Sequence, residues 1–537
     1  MKEKEFNLLN EPWVLLMRFD GGTDELSLKD VFLHAHQYKR LAGETPFQDV
    51  AMLRLLLAIL HSVFGRYDAI GEYQPLNNEV DGVEPEQLLE RWKSLWDMKR
   101  FPAEIIESYL DKYEERFYLF HPETPFYQIA DIGSAKIRTV SKLNGELMES
   151  DNKPRLFASR TGIYKEKLGY SEAARWLLHL NGYDDAAMKT GTGVGWLGKI
   201  NLIYVSGGNL FETLMQNLVF IKEDYSLWDP ERPIWELDQN ETHDDQMPIP
   251  NNLSELLTFV GRKVYLVRQD KMVIGHVITG GSCFSTENAF AEQMTLWKRV
   301  GGIKKAVPVF VPKAPNLERM LWRDFASLVA PNTDGKKSGV IEWVTKLKRE
   351  GLIENSLLML ANLAVIYGTS NSSIKDAFYD ELRFNADILT DLGSNWIPRV
   401  HDCVSVAEKL CTAVGQLAYD LAVSSMAYSD KRKPDFNSIK KRTEGQAYFR
   451  LDEPFRRWLE SIDPQKDIER MDEICMEWIT EAQKIVRRLG EELIDKVDVH
   501  AFVGRMVKIN KKIERRYTAP EAYRDFLTMT SKKRLIN

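Results

Sequence analysis

The spacing of apolar residues changes near residue 385, and this change divides the chain into two parts. From Pro398 onward, apolar residues recur every three or four positions, which places them on one face of an α-helix. The pattern occurs in four stretches joined by short polar links: Val400–Leu421, Phe449–Leu459, Ile468–Ile485 and Phe502–Ile513. It predicts a four-helix bundle over residues 386–537.

The first part of the chain combines helical and strand patterns. Its opening sequence predicts a β-hairpin with the turn at Asp20-Gly21-Gly22. A dense apolar stretch from Val50 to Phe64 predicts a buried helix, and residues 256–312 alternate apolar and polar side chains as strands do. We therefore expect an α+β fold, in which a large mixed α/β domain over residues 1–385 is followed by the bundle.

The composition is typical of a folded protein and excludes several classes. Of the 537 residues, 44% are hydrophobic and 28% are charged, which is normal for globular domains. No run of about 18 apolar residues is present, so we expect no membrane span. The first residues lack the apolar core of a secretory signal. The four cysteines, which have no CxxC spacing, form neither a disulfide scaffold nor a zinc site. We expect a cytoplasmic protein.

Charge is distributed unevenly along the chain. The formal net charge is −7, yet between Lys484 and Arg534 there are 14 lysines and arginines against 7 acidic residues. A protein that is acidic overall can still bind a polyanion with one basic face. A solvated helix face explains the same pattern, and the sequence alone does not choose between the two.

No motif in the sequence carries a recognised catalytic chemistry. The segment Gly193–Gly198 matches GxGxxG, but a strand-like stretch follows it rather than precedes it, which is the wrong order for a dinucleotide site. His34 and His36 have no neighbouring acid or cysteine that would complete a metal-ligand set. We expect no enzyme activity, no cofactor and no metal. The alternative is a cytoplasmic enzyme that binds a phosphate-bearing cofactor at the glycine loop 188–198.

Two segments have a composition suited to nucleic acid. Residues 153–199 combine lysines, arginines and glycines with interleaved aromatics; basic side chains engage phosphates, and small residues permit close approach of the backbone. Residues 367–374 form a short polar stretch rich in turn formers, which fits a tip that enters a groove. Each composition is also common in ordinary surface loops.

Three stretches of the first part carry a family resemblance: FNLLNEPWV, LKDVFLHAHQYKRLAGETPFQDVAMLRLLLAILH and HPETPFYQ. Nearly from end to end, the chain resembles the CasA family, the large subunit of the type I-E CRISPR surveillance complex called Cascade. The resemblance implies a non-catalytic subunit that inspects double-stranded DNA for a short protospacer-adjacent motif (PAM), mainly through minor-groove loops, and promotes duplex opening and R-loop formation. It also implies four kinds of partner: the other Cascade subunits, CRISPR RNA, double-stranded target DNA and a helicase–nuclease effector that the subunit helps to recruit.

The same resemblance places the first DNA-binding residues. The family's loop after the HPxxPF region matches Leu156–Ser159, and the residues implied there are Phe157, Ala158, Ser159 and Arg160. The family's glycine-rich loop matches Gly182–Lys189, and the residues implied there are Gly182 and Lys189. Asp184 and Asp185 in this stretch are unexpected beside a phosphate backbone.

The resemblance also places a wedge and two groups of basic residues. The wedge matches Ser370, Asn371 and Ser372, with Asn371 at its tip, where the amide offers a donor and an acceptor to minor-groove edges. A minor-groove lysine of the family aligns with Met294, and Lys298 or Arg299 is implied as its substitute. The implied phosphate contacts of the bundle are Arg505, Lys508, Lys511 and Lys512.

Overall fold

The computed structural model describes residues 3–130, 136–143, 166–184, 193–237, 247–301, 308–314, 316, 319–330, 334–354, 357–367, 374–425, 435–508 and 514–536. The chain divides into two compact units. The first comprises Met1–Glu318, Pro331–Glu354 and Leu358–Glu381, and the second comprises Arg319–Ala330, Asn355–Leu357 and Leu382–Asn537. The main part of the second unit therefore starts close to the change in apolar spacing. The assignment of DNA-reading loops to the first domain remains a prediction.

Strands and helices are mixed in the first unit, and helices dominate the second. The helices are α1 (Leu28–His34), α2 (Pro46–Phe64), α3 (Pro85–Asp97), α4 (Ala103–Asp111), α5 (Val140–Leu143), α6 (Tyr170–Tyr183), α7 (Leu210–Asn217), α8 (Leu253–Leu257), α9 (Phe325–Val329), α10 (Gly339–Arg349), α11 (Trp396–Ser425), α12 (Phe436–Ser461), α13 (Met471–Ile494), α14 (Val499–Val503), α15 (Ala519–Met529) and α16 (Lys532–Ile536). The strands are β1 (Glu5–Asn7), β2 (Val14–Met17), β3 (Thr23–Leu26), β4 (Arg40–Leu41), β5 (Tyr118–Phe120), β6 (Arg138–Thr139), β7 (Leu202–Ser206), β8 (Arg262–Gln269), β9 (Met272–Gly280), β10 (Trp297–Val300), β11 (Val309–Pro312), β12 (Gly335–Lys336), β13 (Leu357–Tyr367), β14 (Ile374–Asn385), β15 (Arg505–Lys508) and β16 (Glu514–Tyr517). The predicted mixture of helix and strand is confirmed.

The strands assemble into small sheets, of which the three-stranded ones have the orders β3-β2-β4, β6-β9-β8, β14-β13-β7 and β11-β10-β12. The predicted opening hairpin is confirmed, because β2 and β3 pair antiparallel with Val14 opposite Leu26. Gly21 takes a φ of +88° in its turn, a conformation that glycine adopts without strain. The strands β8 and β9 form a second hairpin inside the stretch where alternation predicts strands.

The helix α2 forms the core of the first unit. Thr45 caps its N-terminus by accepting a hydrogen bond from the amide of Gln48, and Pro46 occupies the first turn, where its missing N–H has no partner to lose. By length and composition the helix is apolar enough to cross a membrane, but 89% of its most apolar window is buried inside the protein. The helices α4, α6, α7 and α8 pack against it.

In the described part of the second unit, α11, α12 and α13 have 30, 26 and 24 residues, and α15 has 11. The longest of them, α11, packs against the other three. The segment 319–330 belongs to this unit through Trp322. Its ring stacks on Phe455 with centroids 4.3 Å apart, and its Nε1 donates to the Asp452 carboxylate at 3.0 Å. Burial of aromatic rings on this scale explains why an earlier piece of chain joins the helices.

The last of the four predicted helices, over Phe502–Ile513, is wrong. Within this stretch Arg505–Lys508 form β15, which pairs antiparallel with β16 (Glu514–Tyr517), so that Arg505 lies opposite Tyr517. Gly504 explains the difference, because its φ of +77° ends α14, and a Cβ atom at this position would overlap the carbonyl oxygen of Tyr517. The 11-residue α15 follows this hairpin, and the four-helix bundle stays a prediction.

Substitution by alanine is expected to have opposite effects on the free energy of unfolding at Gly490 and at Gly445 in the second unit. In Gly490→Ala on α13, the new methyl group would overlap the buried ring of Phe526, and overpacking of this kind costs about 1–3 kcal/mol. In Gly445→Ala on α12, nothing lies within 4 Å of the new group, and the better helix propensity of alanine stabilises by up to about 1 kcal/mol. Chemical denaturation of the two variants beside the wild type measures both free energies of unfolding, and equal effects would contradict the packing.

Candidate nucleic-acid interface

The described part of the chain includes five of the predicted DNA-binding residues. Gly182 lies on the last turn of α6, Lys298 and Arg299 lie on β10, and Arg505 and Lys508 lie on β15. The remaining ones lie outside the described residues, namely Phe157, Ala158, Ser159, Arg160, Lys189, Ser370, Asn371, Ser372, Lys511 and Lys512. The structure therefore describes the stems of the predicted loops rather than their tips.

The stems of two predicted loops are in direct contact. The helix α6 ends at Tyr183, shortly before residues 185–192, and β13 ends at Tyr367, shortly before residues 368–373, which include the predicted wedge. The hydroxyl of Tyr367 donates a hydrogen bond to the carbonyl oxygen of Tyr183 at 2.5 Å. Gly198 lies under the same ring, because a Cβ atom there would overlap the Tyr367 side chain. The stems at Tyr183 and Tyr367, which are far apart in sequence, are therefore adjacent in the structure.

Arg262, at the start of β8, closes the stem of the glycine-rich loop. Its side chain is only 1% exposed. Its Nε donates to the Asp184 carboxylate at 3.0 Å, and its Nη2 donates to the carbonyl oxygens of Asp184 at 2.7 Å and Gly193 at 2.6 Å. The charge of Asp184 is therefore balanced inside the protein, as a buried ion requires. This contact accounts for the presence of an acidic residue next to the predicted DNA contacts.

Gly195 is required by packing within this stem, and Gly182 is closely packed against a leucine side chain. A Cβ atom at Gly182 would lie 2.6 Å from Cδ1 of Leu197, and one at Gly195 would overlap the carbonyl group of Gly182. The amide of Gly195 donates to the carbonyl oxygen of Asp184 at 3.0 Å. The described part of the GxGxxG segment is thus occupied by protein contacts, which does not support the cofactor-binding alternative. Contact between Gly182 and DNA remains a prediction.

A buried ion pair fixes the turn that follows the glycines. The Nε1 of Trp196 donates to the Glu292 carboxylate at 2.7 Å, and the same carboxylate pairs with Arg54 of α2 at 2.9 Å. The Arg54 and Glu292 side chains are 4% and 0% exposed. The sequence carried one signal of this anchor, since Arg54 is the single lysine, arginine or acid in the apolar stretch Val50–Phe64.

The residues near the aligned lysine position differ in accessibility. Met294 is 2% exposed, and its sulfur lies 3.8 Å from Nη1 of Arg54, so it is a core residue. On β10, Lys298 is exposed, whereas Arg299 is half-buried and its amide donates to the carbonyl oxygen of Asp334 at 2.7 Å. Lys298 is therefore the more accessible of the two predicted substitutes.

The two described basic contacts predicted for the second unit, Arg505 and Lys508, lie on β15 and not on a helix. Arg516 of the paired strand β16 donates to the carbonyl oxygen of Val503 at 2.8 Å. The adjoining surface is apolar, since Val499, Phe502 and Val503 are 74%, 50% and 65% exposed. A role for Arg505 and Lys508 in phosphate binding remains a prediction.

Metal chemistry finds no support in the described ranges, where no group of three histidine, cysteine or acidic side chains is placed to hold one ion. The four cysteines are all free thiols, three of them buried. His34 ends α1, and His36 lies in the short turn that follows it. Burial is the main cause that lowers the pKa of His36, with the charge of Arg100 adding to it.

Comparison with known proteins identifies the family. The sequence matches the family described as CRISPR-associated protein Cse1 over residues 7–489. It is 26% identical over 507 residues to the CRISPR-associated protein CasA/Cse1 of Thermus thermophilus, which covers 90% of this chain and 93% of that protein. The crystal structure of Thermobifida fusca Cse1 has a TM-score of 0.79 at 27% identity and covers 99% of this chain and 98% of that one.

A more distant likeness concerns the fold alone. A chain of a CRISPR RNA-guided surveillance complex has a TM-score of 0.64 at 17% identity, covering 91% of this chain and 100% of that chain. The fold is thus one found among CRISPR-associated proteins. The chain belongs to the Cse1 family, also called CasA.

The stem geometry predicts the effect of a single methyl group. In Gly195→Ala, the new group collides with the backbone of Gly182, which cannot move aside as a flexible side chain would. We expect a loss of at least about 1–3 kcal/mol of stability and faster hydrogen exchange of the residue-195 amide. Gly169→Ala, at the N-terminus of α6 with nothing within 4 Å of its new group, is the control. Unchanged exchange in Gly195→Ala would contradict the described stem.

Proposed function

We propose that the chain is the large, non-catalytic subunit of a type I-E Cascade complex. In this role it reads the PAM of double-stranded DNA through minor-groove loops, promotes duplex opening and R-loop formation, and helps to recruit the helicase–nuclease. Its partners are the other Cascade subunits, CRISPR RNA and the target duplex, and its compartment is the cytoplasm. Membership of the Cse1 family supports the role, as does the fold shared with a chain of an RNA-guided surveillance complex.

The observation that carries this proposal is the hydrogen bond between Tyr367 and Tyr183. It joins the stem of the glycine-rich segment to the stem of the wedge, so both loops start from one rigid corner. A site built on fixed elements holds its contacts more precisely than a site on independent loops. Two loops from one corner can address neighbouring positions of a single short DNA segment, as reading a PAM demands.

Reading from the minor groove limits the specificity that such loops achieve. That groove distinguishes A·T from G·C pairs and little else. The subunit is therefore expected to accept several PAMs and not one. In RNA-guided recognition generally, the protein reads the short motif and base pairing reads the remaining sequence, so this tolerance does not compromise target choice.

The first experiment measures duplex binding by the guide-loaded complex, assembled with and without this chain at one fixed salt concentration. The targets differ only in the PAM. We expect PAM discrimination to appear only when the chain is present. Equal binding and equal discrimination without the chain would reduce it to a docking platform and overturn the reader role.

A second arm of the same experiment tests the wedge. Asn371→Ala removes the amide that the wedge offers to the minor groove, and we expect it to weaken target binding more than Asn10→Ala does. Asn10 is an exposed asparagine whose amide donates weakly to Glu114 at 3.4 Å, which makes it a matched control. Equal losses in the two variants would remove the wedge assignment.

A further inference from the structure

Lys199 occupies an unusual position beside the joined stems. It is the last residue of the short turn Trp196–Lys199 and directly follows Gly198, which lies under Tyr367. The side chain is half-buried, and its ammonium lies 6.0 Å from the ring centre of Trp196. Among the described residues, no carboxylate lies within 4.0 Å of that ammonium.

Among the described residues, two arginines near Lys199 are paired with carboxylates, whereas Lys199 has no carboxylate within 4.0 Å. Arg262 pairs with Asp184, and Arg54 pairs with Glu292. Burial is the largest cause that lowers the pKa of Lys199; the Cys283 thiol acts in the opposite direction and raises it, and the charge of Arg262 lowers it by a smaller amount. The Trp196 ring lies at the outer limit of a cation–π contact and compensates little. Holding an unpaired charge in a partly dehydrated place costs free energy.

We propose that Lys199 binds a nucleic-acid phosphate at the foot of the two predicted loops. A phosphodiester carries a permanent negative charge, and Lys199 has no such partner among the described residues. An ion pair in a partly dehydrated site is stronger than one on the open surface. The inference rests on the proposed function and deepens it by naming a residue that contacts the nucleic acid. The phosphate belongs either to the target duplex or to the guide RNA, and the chemistry is the same.

The test compares three variants within the assembled, guide-loaded complex. Lys199→Gln removes the charge and keeps the length of the side chain, Lys199→Arg keeps the charge, and Lys93→Gln removes an exposed lysine of α3 as the control. Two dissociation constants are measured across a salt series, one for the PAM-bearing duplex and one for the chain with the guide-loaded remainder of the complex. Each lost phosphate contact lowers the slope of log K against log salt by about 0.9.

We expect Lys199→Gln to lower the slope for the duplex by about one, with Lys199→Arg and Lys93→Gln close to wild type. A fall in the slope for chain association instead would assign the phosphate to the guide RNA. Unchanged slopes in both measurements would overturn the proposal. If the guide-loaded complex assembled without this chain binds the duplex as well as the complete complex does, the proposed function fails. The salt series for association of the chain with the remainder of the complex still tests Lys199 in that case.

The thermal unfolding of the isolated chain provides a readout that separates binding from structure. A lysine held for a ligand contributes no stability in its absence, so Lys199→Gln is expected to leave the midpoint unchanged or to raise it. A clear fall in the midpoint would show that Lys199 supports the fold, and this would overturn its assignment to phosphate binding.

Discussion

A single buried guanidinium holds together the corner of the first unit on which the candidate interface depends. Arg262 donates hydrogen bonds to carbonyl oxygens of Asp184, Gly193 and Gly261 and pairs with the Asp184 carboxylate. These acceptors belong to separate segments that no regular hydrogen-bond ladder joins. A planar, permanently charged side chain with five donors is suited to this task, because it can satisfy several carbonyl groups at once. The glycines around it let the segments approach closely enough to share it.

The cations of the same corner differ in whether they have a carboxylate partner. Two of its cations have carboxylate partners and contribute to the fold, because a buried charge without its partner is strongly destabilising. Lys199 lacks such a partner among the described residues. A site that binds an anion needs charge that the fold has not already neutralised, and this requirement explains why one lysine beside two satisfied arginines stays uncompensated.

Local patterns in the sequence predicted the elements that depend on neighbouring residues. The apolar density of α2 and the turn at Gly21 were sufficient for that helix and for the opening hairpin. The stretch Phe502–Ile513 was misassigned, because helical spacing there is overridden by Gly504, whose backbone conformation the sequence does not reveal. The contact between the two loop stems could not be predicted from the sequence for a different reason. Tyr367 and Tyr183 are separated by 184 residues, and no periodicity reports a contact across that distance.

The hydrogen bond between Tyr367 and Tyr183 has a consequence for how this protein can diversify. It fixes the points where two loops leave the scaffold, while the residues between those points carry no part of the bond. The sequences of residues 185–192 and 368–373 can therefore change without rebuilding this bond. Under the proposed function, selection for a new motif acts on both segments at once, and a chimera is best made by exchanging residues 185–192 and 368–373 together.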